Sequence, residues 1–183
     1  MELNLPSPLP QIPREWFVRP NGHQAADTIH GVKHTLRVWI HAQALAEVLG
    51  LVQWEREALH HATLWHDVGR THDGADYYHG AKSAGRVVGL GLHAPLDEFE
   101  REVALFAVTH HSGDERYAEP DARWMPDPEA AMRVFRVLKD ADALDRVRLG
   151  PYDLDVSQLR FPQSHERIDI AWELLEASKE WVL

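Results

Sequence analysis

The stretch Ala62-Thr-Leu-Trp-His-Asp-Val-Gly-Arg70 ends an apolar helical run on an adjacent imidazole and carboxylate, His66 and Asp67. A His-Asp pair is common by chance, and here its weight comes from its company. His34 stands on an earlier helical segment and Asp142 on a later one, each on the apolar stripe of its segment. An ionisable side chain there is costly unless it has a partner. One divalent cation would serve two imidazoles and two carboxylates at once. That mixed donor set suits borderline and hard metals (Mn, Fe, Co, Ni, Zn or Mg) rather than soft ones. The residues thus point to a helical metal site of His34, His66, Asp67 and Asp142 doing hydrolytic chemistry.

Periodicity chooses among the neighbours of these four. The run Lys139-Asp-Ala-Asp-Ala-Leu-Asp-Arg146 contains three aspartates. Asp142 follows Leu138 by four residues and Phe135 by seven, on the expected buried stripe. Asp140 aligns with Arg136 and Arg133 on an expected solvated face, where an ordinary intrahelical ion pair accounts for it. Asp145 shares the Asp142 face one turn on. Asp142 is the expected ligand, with Asp140 and Asp145 expected to support the ligands from behind. His41 stands about 10.5 Å beyond His34 along the helix axis, too far to share an ion, and reads as a packing residue. His30, one turn before His34, is expected to line the approach on the substrate side.

The elements that must position these groups are helices. Apolar residues recur at three- and four-residue steps over residues 32–49, 54–67, 79–90 and 96–110, then again over 128–149 and 164–182, with Gly50, Gly69, Gly91 and Gly150-Pro151 as stops. No stretch alternates as a strand would, so the fold class expected is all-α. Residues 1–22 hold five of the eleven prolines and read as an extended arm pinned by Trp16, Phe17 and Val18. The expected organisation is an arm over 1–28 packed on a single domain over 29–183. Two long loops are expected within it, at 112–128, where three prolines fall, and at 152–162.

The bulk composition narrows the class further. A formal charge of -10 argues against binding a nucleic acid polymer. It leaves room for a small anionic substrate, because a bound dication reverses the local field. There is no cysteine, which removes thiolate catalysis and zinc-thiolate sites. No run is long enough to span a bilayer, and the first ten residues lack the pattern of a signal peptide. A cytoplasmic protein without membrane attachment is expected, its oligomeric state open.

Spaced H…HD…D on successive helices resembles the signature of the HD-domain superfamily of metal-dependent phosphohydrolases. Ile29-His-Gly-Val-Lys-His-Thr-Leu-Arg-Val38, Leu64-Trp-His-Asp-Val-Gly-Arg70 and Asp140-Ala-Asp-Ala-Leu-Asp145 are all similar to that group, and the Ala-Asp-x-Leu element of relatives also selects Asp142. The resemblance covers about residues 29–149. It implies an HD-domain-like helical bundle holding one or two divalent ions. The activity it implies is attack of metal-activated water on the phosphorus of a small phosphate ester, a nucleotide foremost. Asp67 would orient the water as well as bind metal. It also implies pocket roles for His79 and His110, either on a second metal or on phosphate, with His111 as a structural residue on the Ala104 and Ala107 face. Relatives that cleave guanosine polyphosphates carry an acidic pair shortly after the His-Asp. This chain has Arg70-Thr71 there, which disfavours that substrate and makes Arg70 a phosphate clamp. Lys33, Lys82 and His110 are candidates for phosphate contacts or leaving-group protonation. The alternatives are a diiron oxygenase on the same scaffold and a non-catalytic nucleotide-binding sensor.

Overall fold

The structure is a computed structural model that describes residue 6 and residues 8–183. Its helices are α1 (Val32–Val48), α2 (Gln53–Trp65), α3 (His79–Gly89), α4 (Glu98–His110), α5 (Glu115–Ala122), α6 (Pro128–Leu144), α7 (Pro162–His165) and α8 (Ile168–Ala177). Among the described residues the strand-like pairing is a single isolated bridge between Val18 and Gln24, so the protein is all-α. No helix among them is long and apolar enough to cross a membrane.

The core is a four-helix arrangement in which α1, α2, α4 and α6 pack on one another, with α3 laid on α4. Leu36 and Leu45 of α1, Leu59 and Trp65 of α2, and Phe135 and Leu138 of α6 are fully buried. Removing each such side chain from water is worth roughly 1.5–3 kcal/mol. Local chemistry fixes the helix starts. Asp97, Asp114 and Asp127 each accept a hydrogen bond from a backbone N–H of the first turn, and Pro128 sits where its missing N–H costs nothing. The Glu55 carboxylate caps α2 through the Val52 N–H at 2.9 Å, and from its buried position also takes Arg133 of α6.

Two glycines let helices meet where the chemistry lies. A Cβ at Gly69 would sit 2.2 Å from the Ser83 nitrogen, and one at Gly80 2.6 Å from the Thr109 carbonyl oxygen. The turn after α2 and the end of α4 therefore both press directly on α3. A hydrogen bond from Gly69 N–H to Ser83 Oγ at 2.9 Å locks the first of these contacts.

Three expectations about elements change. The 112–128 segment is not one loop, because α5 forms across Pro120. Asp114 caps it, Ala118 and Ala122 bury, and Arg136 and Arg160 clasp Glu115, which together outweigh the hydrogen bond the proline removes. The helix expected to reach residue 149 stops at Leu144, and Asp145–Arg148 tighten into a 3-10 turn. The closing helix is divided into α7, α8 and a 3-10 turn over Ser178–Glu180. Buried Asp140 holds the Phe161 N–H and Ser164 Oγ, and Arg167 turns aside to His41. In the arm, Ile12 and Phe17 are buried and Arg86 Nε donates to the Trp16 carbonyl at 3.1 Å. Residues 1–5 and Ser7 of that arm lie outside the described residues.

Candidate metal centre

Each donor stands at or near the end of a helix. His34 lies in the first turn of α1, His66 directly follows α2, His79 opens α3, His111 directly follows α4, and Asp142 lies in the last turn of α6. Asp67, in the turn held down by Gly69, is the shared centre. Its Oδ2 lies 2.8 Å from His30 Nδ1 and 3.3 Å from His34 Nε2. Its Oδ1 lies 3.1 Å from His79 Nε2 and 3.9 Å from His111 Nε2. Asp142 Oδ1 completes the first half, 3.4 Å from His34 Nε2 and 4.0 Å from His66 Nε2.

The protonation pattern of the four histidines tests whether a cation fits. His66 Nδ1 donates to the Thr63 carbonyl and His111 Nδ1 to the Val108 carbonyl, both at 2.7 Å, and His79 Nδ1 donates to the Asp76 carbonyl. His34 Nδ1 donates to Asp145 Oδ2 at 2.6 Å. A carbonyl or ionised carboxylate can only accept, so in each ring Nδ1 carries a proton and Nε2 is the nitrogen left for a metal, its lone pair free in the neutral ring. Those nitrogens face one another: His34 and His66 Nε2 are 3.0 Å apart, His79 and His111 Nε2 2.9 Å. Facing nitrogens at this distance need either a shared proton or a metal cation between or beside them. The buried set is therefore chemically complete for a divalent ion, and the triads His34–His66–Asp142 and His66–Asp67–His111 have the convergence to hold one.

Electrostatics supports the same assignment. Burial first, then the neighbouring His34, pushes His66 down to about 4, with Asp67 opposing, and burial holds His111 well below its ordinary value. Both are neutral donors at neutral pH. Burial would raise the Asp67 carboxyl, but His66, His30, His34 and His79 hold it well below the usual carboxylate range. Asp145 follows the same logic: burial opposes, and His34 and Arg37 win, bringing it to about 2. Arg37 grips it with both Nε (2.6 Å) and Nη2 (3.0 Å).

A cavity of about 750 Å³ opens on the cluster, its walls including Arg70, His79, His111, Lys139, Asp142 and Arg148. Arg70 Nε donates to Asp67 Oδ1 at 2.7 Å and its Nη2 lies 3.3 Å from His79 Nε2. Arg148 donates to the Asp145 and Ile29 carbonyls, and its Nη2 lies 3.1 Å from His30 Nδ1. Lys139 is lowered to about 8, by burial first and then by Arg160, and so remains a cation at neutral pH.

Set against the sequence expectations, the geometry gathers His30, His34, His66, Asp67, Arg70, His79 and Asp142 into one cluster, of which His30, Arg70, His79 and Asp142 line this cavity, and leaves three residues away from it. His110 is turned outward, with Nε2 3.2 Å from Asp121 Oδ2 and its ring on Phe106, while His111, expected to be structural, enters the cluster. The signal lay in the alanines: Ala104 and Ala107 are fully buried, and His111 continues their face, the closest-packed side of α4. Lys33, rotated about 100° from His34 on the helix, donates to the Lys179 carbonyl at 2.9 Å. Lys82 is exposed and paired with Asp76 at 2.7 Å. The aspartates of α6 also exchange places. Asp140 is fully buried and anchors Arg160 and Ser164, whereas Asp142 is half-buried at the cavity edge.

The family model for the HD domain matches residues 31–147, a span that begins just before α1, ends in the 3-10 turn after α6 and contains all six donors. No curated protein and no solved structure matches the chain. HD domains bind divalent metals and are largely hydrolases, in keeping with a buried His/Asp set of this kind. With well over half its length accounted for, the chain belongs to the HD-domain family.

Proposed function

We propose that this protein is a metal-dependent phosphohydrolase acting on a small phosphate ester of nucleotide size. The observation that carries this reading is the convergence of imidazole Nε2 atoms, facing in pairs 3.0 Å and 2.9 Å apart, on either side of the Asp67 carboxylate. His34, His66, Asp67 and Asp142 would hold one divalent ion. His79 and His111, with Asp67 shared, would hold a second. Such ions supply a nucleophilic water at neutral pH and positive charge for a phosphoryl group.

The chain's own groups supply the rest. Arg70, fixed by Asp67 and the Gly74 carbonyl, presents a planar fork to non-bridging phosphate oxygens. Arg148 stands across the cavity, held by the Asp145 and Ile29 carbonyls. Because Arg70 and His79 both rest on Asp67 Oδ1, substrate grip and metal binding depend on the same carboxylate. At about 750 Å³ the cavity accommodates a nucleotide with room to spare.

His66→Ala and Asp67→Ala should each lose bound metal, measured by elemental analysis, and lower phosphate release from a panel of nucleotides by about 10³-fold or more. Full activity in either variant overturns the assignment. The paired histidines also suit two irons and oxygen chemistry. Dioxygen uptake without phosphate release would select that reading, and tight nucleotide binding without turnover would select a sensor.

A further inference from the structure

Two cations in the cavity wall, Lys139 and Arg146, have no carboxylate within ion-pair distance among the described residues. Lys139 lies on α6 one turn before Asp142, and Arg146 lies one turn after it in the 3-10 stretch, so all three share a stripe on the cavity. Lys139 Nζ donates to the carbonyls of His111 (3.0 Å) and Gly113, and Arg146 Nε donates to the Asp153 carbonyl at 2.9 Å. Neither forms an ion pair with any carboxylate among the described residues. An ammonium has three N–H donors and a guanidinium five, so both keep donors to spare. The other wall cations are already neutralised: Arg70 by Asp67, Arg148 by Asp145, and Arg160 by Asp140 and Glu115.

Asp142, Glu115 and Asp114 lie within electrostatic reach of Lys139, and Asp155 within reach of Arg146, but none of them forms an ion pair with either cation. Asp114 caps α5, Asp155 caps the turn at Ser157, Glu115 is clasped by Arg136 and Arg160, and Asp153 gives Arg146 its carbonyl rather than its carboxylate. Lys139 is partly desolvated with no paired anion, a free-energy cost that a negatively charged ligand relieves, and Arg146, which is exposed, stands at the cavity edge with donors to spare. Their backbones are about 10.5 Å apart along the helix, with the ligand Asp142 between them. That spacing sets one cation on each side of Asp142 along the same cavity wall, within reach of a single bound anion.

We propose that the substrate is a small polyanion, carrying at least one further phosphoryl group next to the one that reacts, and that Lys139 and Arg146 take the flanking group. This rests on the phosphohydrolase reading and narrows it from phosphate esters in general to those with two or more phosphoryl groups.

The test compares adenosine 5′-monophosphate with adenosine 5′-diphosphate and adenosine 3′,5′-bisphosphate on the metal-loaded full-length protein. Calorimetric affinity is read for each and, where a nucleotide is turned over, kcat/KM. One doubly phosphorylated form should exceed the monophosphate by about tenfold or more, as one added charge-assisted contact requires. Lys139→Met and Arg146→Met should each shrink that ratio toward one, chiefly through affinity or KM, and Lys139→Arg should preserve it. Equal handling of mono- and diphosphorylated forms, or an unchanged ratio in both methionine variants, overturns the inference even if the monophosphate is cleaved. A preserved ratio of affinities with no phosphate release from any of the three defeats the hydrolase reading and leaves Lys139 and Arg146 as a subsite for a bound polyanion that is not a substrate.

Discussion

Asp145 touches no expected substrate, yet it sets how His34 behaves. Its carboxylate receives the His34 Nδ1 proton and the Arg37 fork, both buried. Asp145→Asn keeps the shape and an acceptor but loses the charge that makes His34 a stronger donor. Metal affinity should fall about 10- to 100-fold, measured by chelator competition. Asp145→Ala removes both the counter-charge and the carboxylate acceptors from the buried Arg37 guanidinium, and should cost roughly 3–5 kcal/mol in denaturant unfolding, more than Asp145→Asn. Equal stability losses in the two variants, with metal affinity unchanged, would mean that Asp145 serves folding alone. At this scale the sequence is readable where type and spacing coincide. His66-Asp67 ends an apolar run, and His34 recurs in step with Val38 and Leu45. It misleads where burial comes from a later segment. Asp140 looks solvated until residues 160–164 close over it, and Asp142 looks buried although it borders an open cavity.

The α2–α3 junction is where one missing methyl group holds two parts of the site together. A Cβ at Gly69 would lie 2.4 Å from Ser83 Cα, so Gly69→Ala must push α3 away and carry His79 with it. The expected loss is roughly 1–3 kcal/mol of stability from overpacking, together with weaker metal binding. Thermal melting and a metal titration check the two. Ser83→Ala, which removes only the acceptor for the Gly69 N–H, should cost about 1–3 kcal/mol and disturb metal binding less. An alanine at residue 69 that changes neither property would show α3 to be free to slide. Most helices are legible because apolar residues recur at helical spacing and Gly or Asp-Pro marks their ends. The exceptions arise from contacts distant in sequence: α5 survives Pro120 because Arg136 and Arg160 hold Glu115, and α8 separates from α7 where Arg167 leaves the helix for His41.

The whole molecule carries buried histidines outside the metal cluster, and one of them, His41, contributes to its response to acid. His41 is fully buried, with Nδ1 accepting from Arg167 Nε at 3.1 Å and Nε2 without a partner. Burial, then Arg167, lowers it from 6.5 to about 3. Because the folded-state value lies below the unfolded one, the unfolded chain takes up the proton first. The stability His41 allows is complete above pH 6.5 and lost as the pH falls toward 3, at about 1.4 kcal/mol per pH unit. His41→Gln keeps an acceptor for Arg167 and cannot titrate. Its denaturation midpoint should therefore decline less than that of the unsubstituted protein between pH 6.5 and 4, and parallel declines would rule this account out. That the chain is all-helical, and that its segments form a bundle, follows from a sequence in which no strand alternation competes with helical spacing.

The six donors are spread from residue 34 to residue 142 and stand on the ends of five helices or the turns next to them. An ion seated among them works as a rivet, tying together pieces of chain that share no covalent link nearer than the loops between them. Chelation of such an ion should therefore do more than stop the proposed turnover. It should release five helix ends together and make the floor of the pocket the first place where backbone amides exchange with solvent, as hydrogen exchange would read.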